Sequence, residues 1–102
     1  ATLGSPGMLL GTAAYLAPEM IENNQATAQG DLYSVGIMAW EMMTGKVPFD
    51  SDNPVTLVFK HVHEDVPSVA TVCQGIDPSV AAFIAHLTAR QVGAMARQQL
   101  RN

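Results

Sequence analysis

A single cysteine, Cys73, is all the thiol this 102-residue chain carries. An internal disulfide is therefore excluded, and a reducing compartment suits the chain. Cationic side chains are also scarce: Lys46, Lys60, Arg90, Arg97 and Arg101 are the complete set. They are scattered rather than clustered, which argues against nucleic acid or an anionic membrane surface as a partner. No apolar run is long enough to span a bilayer, and no signal-peptide pattern opens the chain. What is abundant is apolar: 48% of residues are hydrophobic, against 14% charged, with a net charge of -4. That balance argues against disorder, and the length allows one small domain with a modest core. It also fits a piece cut from a larger fold, in which surface meeting the remainder stays apolar. The first residue, Ala1 rather than Met, agrees with that expectation.

Helical signals dominate. Residues Ala1 to Leu10 read as loop, with Gly4, Pro6 and Gly7 and no periodicity. Ala17 to Asn23 predicts a short helix with Pro18 in its first turn, and the polar stretch Asn23 to Gln25 breaks it. Asp31 to Thr44 is the strongest helix, and Gly45 is a suitable terminator. Its apolar residues form two faces, Leu32, Val35, Ala39, Met42 and Met43 on one, Tyr33, Ile37 and Trp40 on the other. A helix apolar nearly all round is expected at the centre of a fold. Asn53-Pro54 and Asp77-Pro78 each combine a cap with a first-turn proline. Val55, Val58, Phe59 and Val62 follow the first at helical spacing, and Val80, Phe83, Ile84 and Leu87 follow the second. Val66 to Gly75 reads as loop, and Gln91 to Asn102 as weakly helical. No strand and no internal repeat is convincing.

The most specific text is Gly11-Thr12-Ala13-Ala14-Tyr15-Leu16-Ala17-Pro18-Glu19, a G-T-x-x-Y-x-A-P-E string. Farther on, residues 31–50 read D-L-Y-S-V-G-I-M-A-W-E-M-M-T-G-K-V-P-F-D, and residues 60–67 read K-H-V-H-E-D-V-P. In this order the three segments resemble the second half of a bacterial eukaryotic-like (Hanks-type) Ser/Thr protein kinase domain. The resemblance covers about the first 90 residues. It implies an all-α fold, part of a kinase C-lobe, with four or five helices around a central apolar helix at about 29–44. Residues 1–19 would be the activation segment and peptide-positioning loop, and 20–102 the helical subdomain. The chain has no Gly-rich loop, V-A-I-K lysine, H-R-D catalytic loop or D-F-G. Those parts hold ATP and its metal ions and supply the catalytic base. ATP and Mg²⁺ are therefore expected for an intact kinase, neither on this chain, and the chain alone is expected to be inactive.

The resemblance also assigns roles. Thr12 would support the absent catalytic aspartate and help orient the substrate hydroxyl; otherwise it is a plain loop threonine. Thr2 and Ser5 fall where such kinases are phosphorylated, and a phosphate there would order the loop against arginine; otherwise they are exposed hydroxyls. Glu19 would form a buried ion pair with a late arginine, Arg97 or alternatively Arg90. Loss of one partner in such a pair costs about 3–5 kcal/mol. The bland alternative for Glu19 is a first-turn glutamate favoured by the helix dipole. Asp31 would accept backbone N–H bonds from the catalytic loop, or else simply open its helix. Near the C-terminus the family expects Lys-x-Pro-x-x-Arg, whereas this chain has Arg90-Gln91-Val92-Gly93-Ala94-Met95-Ala96-Arg97.

His61, His63, His86 and Cys73 do not compose a metal site by spacing, and the six methionines read as core filling. The expected partners are the remainder of the kinase domain and protein substrates, in the cytoplasm or in the cytoplasmic part of a membrane-anchored kinase. A second reading is a non-catalytic module that binds proteins or self-associates through exposed apolar helix faces.

Overall fold

The computed structural model describes residues 13–23 and 27–89. Among these residues there are four α-helices, one 3₁₀ turn and no strand. The helices are α1 (Pro18–Asn23), α2 (Ala28–Thr44), α3 (Pro54–His63) and α4 (Pro78–Leu87), and the 3₁₀ turn is Val69–Thr71. The expectations for Ala1 to Leu10 and for Gln91 to Asn102 lie outside the described residues.

Local chemistry sets each start. Thr27 caps α2, its Oγ1 accepting from the Gly30 N–H at 2.9 Å. This places the start three residues before Asp31, which sits in the first turn. Asn53 Oδ1 accepts from the Val55 N–H at 2.9 Å, and Asp77 Oδ1 from the Ser79 N–H at 2.8 Å. Pro54 and Pro78 then occupy first-turn positions, as expected. Gly45 ends α2 at φ 81°, a left-handed conformation, and its N–H reaches the Glu41 carbonyl at 2.7 Å.

Helix α2 is the hub. It contacts α1, the 3₁₀ turn and α4, while α3 packs on α1. Its 17 residues give a rod of about 26 Å. Gly36 lets α4 approach closely: a Cβ there would lie 2.7 Å from Thr88 Cγ2 and 2.8 Å from Leu87 Cβ. The core is three small clusters. One joins Ala13, Ala14, Phe49 and Leu57, one Ala17, Tyr33 and Ile37, and one Trp40, Val69 and Ile84. Val66 packs against all three. Trp40 Nε1–H donates to the Pro67 carbonyl at 2.8 Å, which ties the segment after α3 to the hub.

Burial corrects several sequence expectations. Of the two apolar faces of α2, the Tyr33–Ile37–Trp40 face is buried, while Leu32, Val35, Met42 and Met43 are exposed and Ala39 is half-buried. The methionines expected as core filling are instead exposed at Met38, Met42 and Met43, Met42 at 81%. On α3 the buried side chains are Leu57 and His61, and Val55 and Phe59 face outward. On α4 only Ile84 is fully buried; Phe83 and Val80 are exposed.

Candidate functional site

The segment before α1 lies on the hub helix and is held there by two polar contacts. The Tyr15 hydroxyl donates to the Glu41 carboxylate. Ser34 Oγ donates to the Tyr15 carbonyl at 2.7 Å and to the Gly30 carbonyl of its own helix at 3.2 Å. Ala17 packs on Tyr33 and Ile37 of α2, while Ala13 and Ala14 pack on Phe49 and on Leu57 of α3; all three alanines are nearly fully buried. The Tyr15 phenol titrates above its usual range, first because it donates to Glu41, then by burial and by the charge of that carboxylate. Backbone and side chain of Tyr15 are thus fixed to points two turns apart on one rigid helix.

Glu19 follows in the first turn of α1 and is 6% exposed. Its Oε1 accepts from Thr27 Oγ1 at 3.4 Å, a long bond. Gly30 passes so close that a Cβ there would lie 3.3 Å from the same oxygen. The helix dipole favours this carboxylate. Arg90 and Arg97, its expected partners, lie outside the described residues. So do Thr2, Ser5 and Thr12.

Asp31 is exposed at the start of α2. With Leu16, Ala17, Met20, Thr27, Gly30 and Ser34 it lines a cavity of about 120 Å³. That is well below the roughly 300–1,000 Å³ of typical small-molecule sites. Asp31 is its one charged side chain, and among the described residues no group of three or more His, Cys, Asp and Glu could hold a metal ion. The lining and volume of this cavity do not fit a nucleoside triphosphate or its Mg²⁺.

His61 and His63 point to opposite sides of α3, as their spacing predicts. His63 is exposed and its ring lies 4.2 Å from that of Phe59. His61 is completely buried. Its Nδ1 lies 2.5 Å from the Tyr33 hydroxyl, and Phe49 meets the ring edge-on at 5.1 Å. Burial lowers the His61 pKa to about 4, offset in part by the backbone of Ala14 and Ala13.

Sequence reasoning assigned no role to Tyr15, Glu41, Ser34, Tyr33 or His61. All five stand inside the quoted motifs, so the residue types were visible. Their pairing spans 19 to 28 positions of sequence and becomes evident only once α2 and α3 are placed.

Residues 3–93 match the protein kinase domain family model. The chain belongs to the protein kinase family, and its helices are those of a partial kinase C-lobe. Its relatives are bacterial serine/threonine kinases. It is 96% identical over 94 residues to "Probable serine/threonine-protein kinase pknA2" of Bifidobacterium longum, covering 92% of this chain and 12% of that protein. It is 38% identical over 90 residues to serine/threonine-protein kinase PknL of Mycobacterium tuberculosis, covering 88% of this chain and 23% of that protein. It is 33% identical over 89 residues to serine/threonine-protein kinase PrkC of Bacillus subtilis, covering 87% and 14%. The chain thus spans between about an eighth and a quarter of the length of these curated relatives.

Proposed function

We propose that this chain is the substrate-positioning part of a Ser/Thr protein kinase C-lobe, inactive alone and active within a complete kinase. The observation that carries this reading is the fixation of the segment from Ala13 to Glu19 on α2 by Tyr15, Glu41 and Ser34. Phosphoryl transfer depends mostly on positioning and on charge stabilisation. A loop that orients a peptide therefore needs a rigid support, and a buried helix supplies one. In the complete enzyme the γ-phosphorus of ATP forms a bond to a protein Ser or Thr oxygen. The bond from that phosphorus to the β–γ bridging oxygen breaks, ADP leaves, and the hydroxyl proton passes to the catalytic base. ATP, Mg²⁺ and the base belong to the remainder of the kinase domain in this reading, and Thr12 supports the base. Thr2 and Ser5 are phosphorylation sites, and Glu19 pairs with Arg97 or Arg90. In this reading the segment works on the cytoplasmic side, alone or as part of a membrane-anchored kinase.

The test compares two preparations. The purified 102-residue chain should give no ATP-dependent phosphorylation above a Thr12→Ala control. The complete kinase polypeptide should phosphorylate protein substrate and lose most of that activity on Thr12→Ala. Activity of the short chain, or indifference of the complete one to Thr12→Ala, overturns the reading.

A second reading, a non-catalytic module that binds proteins or self-associates, draws on the exposed Leu32, Val35 and Met42 on α2. Light scattering decides it: a mass rising with concentration favours it, and a concentration-independent monomer counts against it.

A further inference from the structure

The hub and α3 do not pack broadly on each other. Helix α3 rests on α1, and its Leu57 and Val58 belong with Ala13, Ala14 and Phe49. The hub's Tyr33 and Ile37 form a separate cluster with Ala17, and Val66 touches both clusters from outside the helices. The two helices are joined by a polar aromatic pair. His61 Nδ1 lies 2.5 Å from the Tyr33 hydroxyl, and the rings meet edge-on at 5.6 Å. His61 is 0% exposed. A phenol holds its proton at neutral pH and can donate it to a neutral ring. A charged ring has an N–H at both nitrogens and no lone pair. Its Nδ1–H would displace the phenol proton, and its buried Nε2 has no hydrogen-bond partner. The ring's partner is a phenol rather than a carboxylate. Of the carboxylates on the surrounding elements, Glu41 accepts from Tyr15 and Glu19 from Thr27. Glu22, Asp31, Asp50, Asp52, Glu64 and Asp65 are exposed. Among the cations, Lys60 donates to the Asp50 carbonyl, and Lys46 and His63 are exposed. A cation buried without a counter-charge is costly.

We infer that the Tyr33–His61 pair is an acid-released latch between α3 and the hub helix. While the ring is neutral, the phenol bonds it and α3 stays seated. Proton uptake favours the open form, in which water solvates the charged ring. The backbone of Ala14 and Ala13 works the other way, and burial outweighs it. Opening is local, because α3 carries the histidine and is bounded by exposed Asn53 and Glu64. The closed latch is at full strength above pH 6.5, where the ring is neutral in both forms. It weakens as pH falls toward 4, the range in which only the open form takes the proton. Each pH unit below 6 then multiplies the open fraction about ten-fold.

The experiment follows hydrogen exchange of the complete kinase polypeptide by mass spectrometry from pH 7 to pH 4.5, with rates corrected for the intrinsic effect of pH. Peptides covering 54–63 should lose protection about ten-fold per pH unit below 6. Peptides covering 33–44 should stay better protected throughout, because more of the fold must part to expose them. His61→Gln, which keeps a donor and an acceptor but takes up no proton, should flatten the response of 54–63. Tyr33→Phe should raise exchange of 54–63 roughly five-fold already at pH 7 and leave the pH slope in place. Equal protection of 54–63 and 33–44 at every pH overturns the latch, because opening is then global. So does a pH response of 54–63 that His61→Gln leaves unchanged. A charged His61 ring at pH 5.5 in the unmodified polypeptide, read from the ¹⁵N shifts of labelled histidine, overturns it as well. That measurement and the unmodified exchange profile stand even if neither variant folds. None of these readouts requires phosphoryl transfer, so failure of the kinase reading leaves them decisive.

Discussion

The Tyr15 hydroxyl donates to the carboxylate of Glu41, joining residues 26 positions apart in sequence. One side chain comes from the loop before α1 and the other from the last third of the hub helix. A hydrogen bond to an ionised acceptor is stronger than a neutral one, at about 1.5–3 kcal/mol. Both groups are only partly buried, so the lower end applies. Tyr15→Phe should lower stability by about 1–2 kcal/mol and reduce peptide phosphorylation in the complete kinase. Thermal unfolding and a peptide assay check both outcomes. Glu41→Gln, which still accepts, should lose less.

Gly36 is a steric prediction. A methyl group there would sit 2.7 Å from Thr88 Cγ2 and 2.8 Å from Leu87 Cβ, both too close without movement of α4. Gly36→Ala gains helix propensity of up to about 1 kcal/mol, but overpacking costs about 1–3 kcal/mol. The net expectation is destabilisation. Adding Thr88→Ser removes one of the two clashing carbons and keeps the hydroxyl that donates to the Ile84 carbonyl at 2.9 Å. Denaturant unfolding should find the double variant recovering part of the loss, and a stabilised Gly36→Ala protein would refute the packing.

Thr27 serves two neighbours at once. Its Oγ1 accepts from the Gly30 N–H at 2.9 Å and donates to Glu19 at 3.4 Å. Thr27→Ala removes a helix cap, worth about 1 kcal/mol, and also a donor to a buried carboxylate. Thr27→Ser should be nearly silent because it retains the hydroxyl. Calorimetric midpoints of the two variants separate these outcomes.

Acid should weaken the fold through His61. Folded, this ring resists protonation down to about pH 4; unfolded, it takes a proton near 6.5. Between those values the unfolded chain binds more protons, so stability rises with pH. The contribution is complete above pH 6.5 and falls away as pH drops toward 4. Its full size is on the order of 3 kcal/mol. Unfolding free energies at pH 7 and pH 4.5 should differ more for the unmodified protein than for His61→Gln. Equal differences would rule out the buried neutral ring.

Start signals proved legible because they are local. Asn53-Pro54 and Asp77-Pro78 place a cap and its proline within two residues, and the helices begin there. Gly45 was likewise readable as a terminator. Burial was less legible. On α3 the spacing of Val55, Val58, Phe59 and Val62 suggests one apolar face, yet Leu57 and His61 also stand one turn apart. Only the position of α1 and Phe49 decides which face turns inward. Apolar character on α2 likewise says that contacts are favoured, without saying which are made within these residues. Glu19 is buried at its motif position, but its arginine pairing falls outside the described residues; the Tyr33–His61 pair depends on two helices meeting. Thr2, Ser5, Thr12, Arg90 and Arg97 lie outside the described residues.

Three clusters of three or four buried side chains are each too small to hold a fold independently, and Val66 touches every one of them. A valine in the segment after α3, followed by Pro67 whose carbonyl is held by Trp40, thereby couples their melting. Cooperativity here depends on a branched side chain outside any helix. Trimming it to alanine should do more than lower the unfolding midpoint: it should broaden the transition, as regions that once melted together begin to part company.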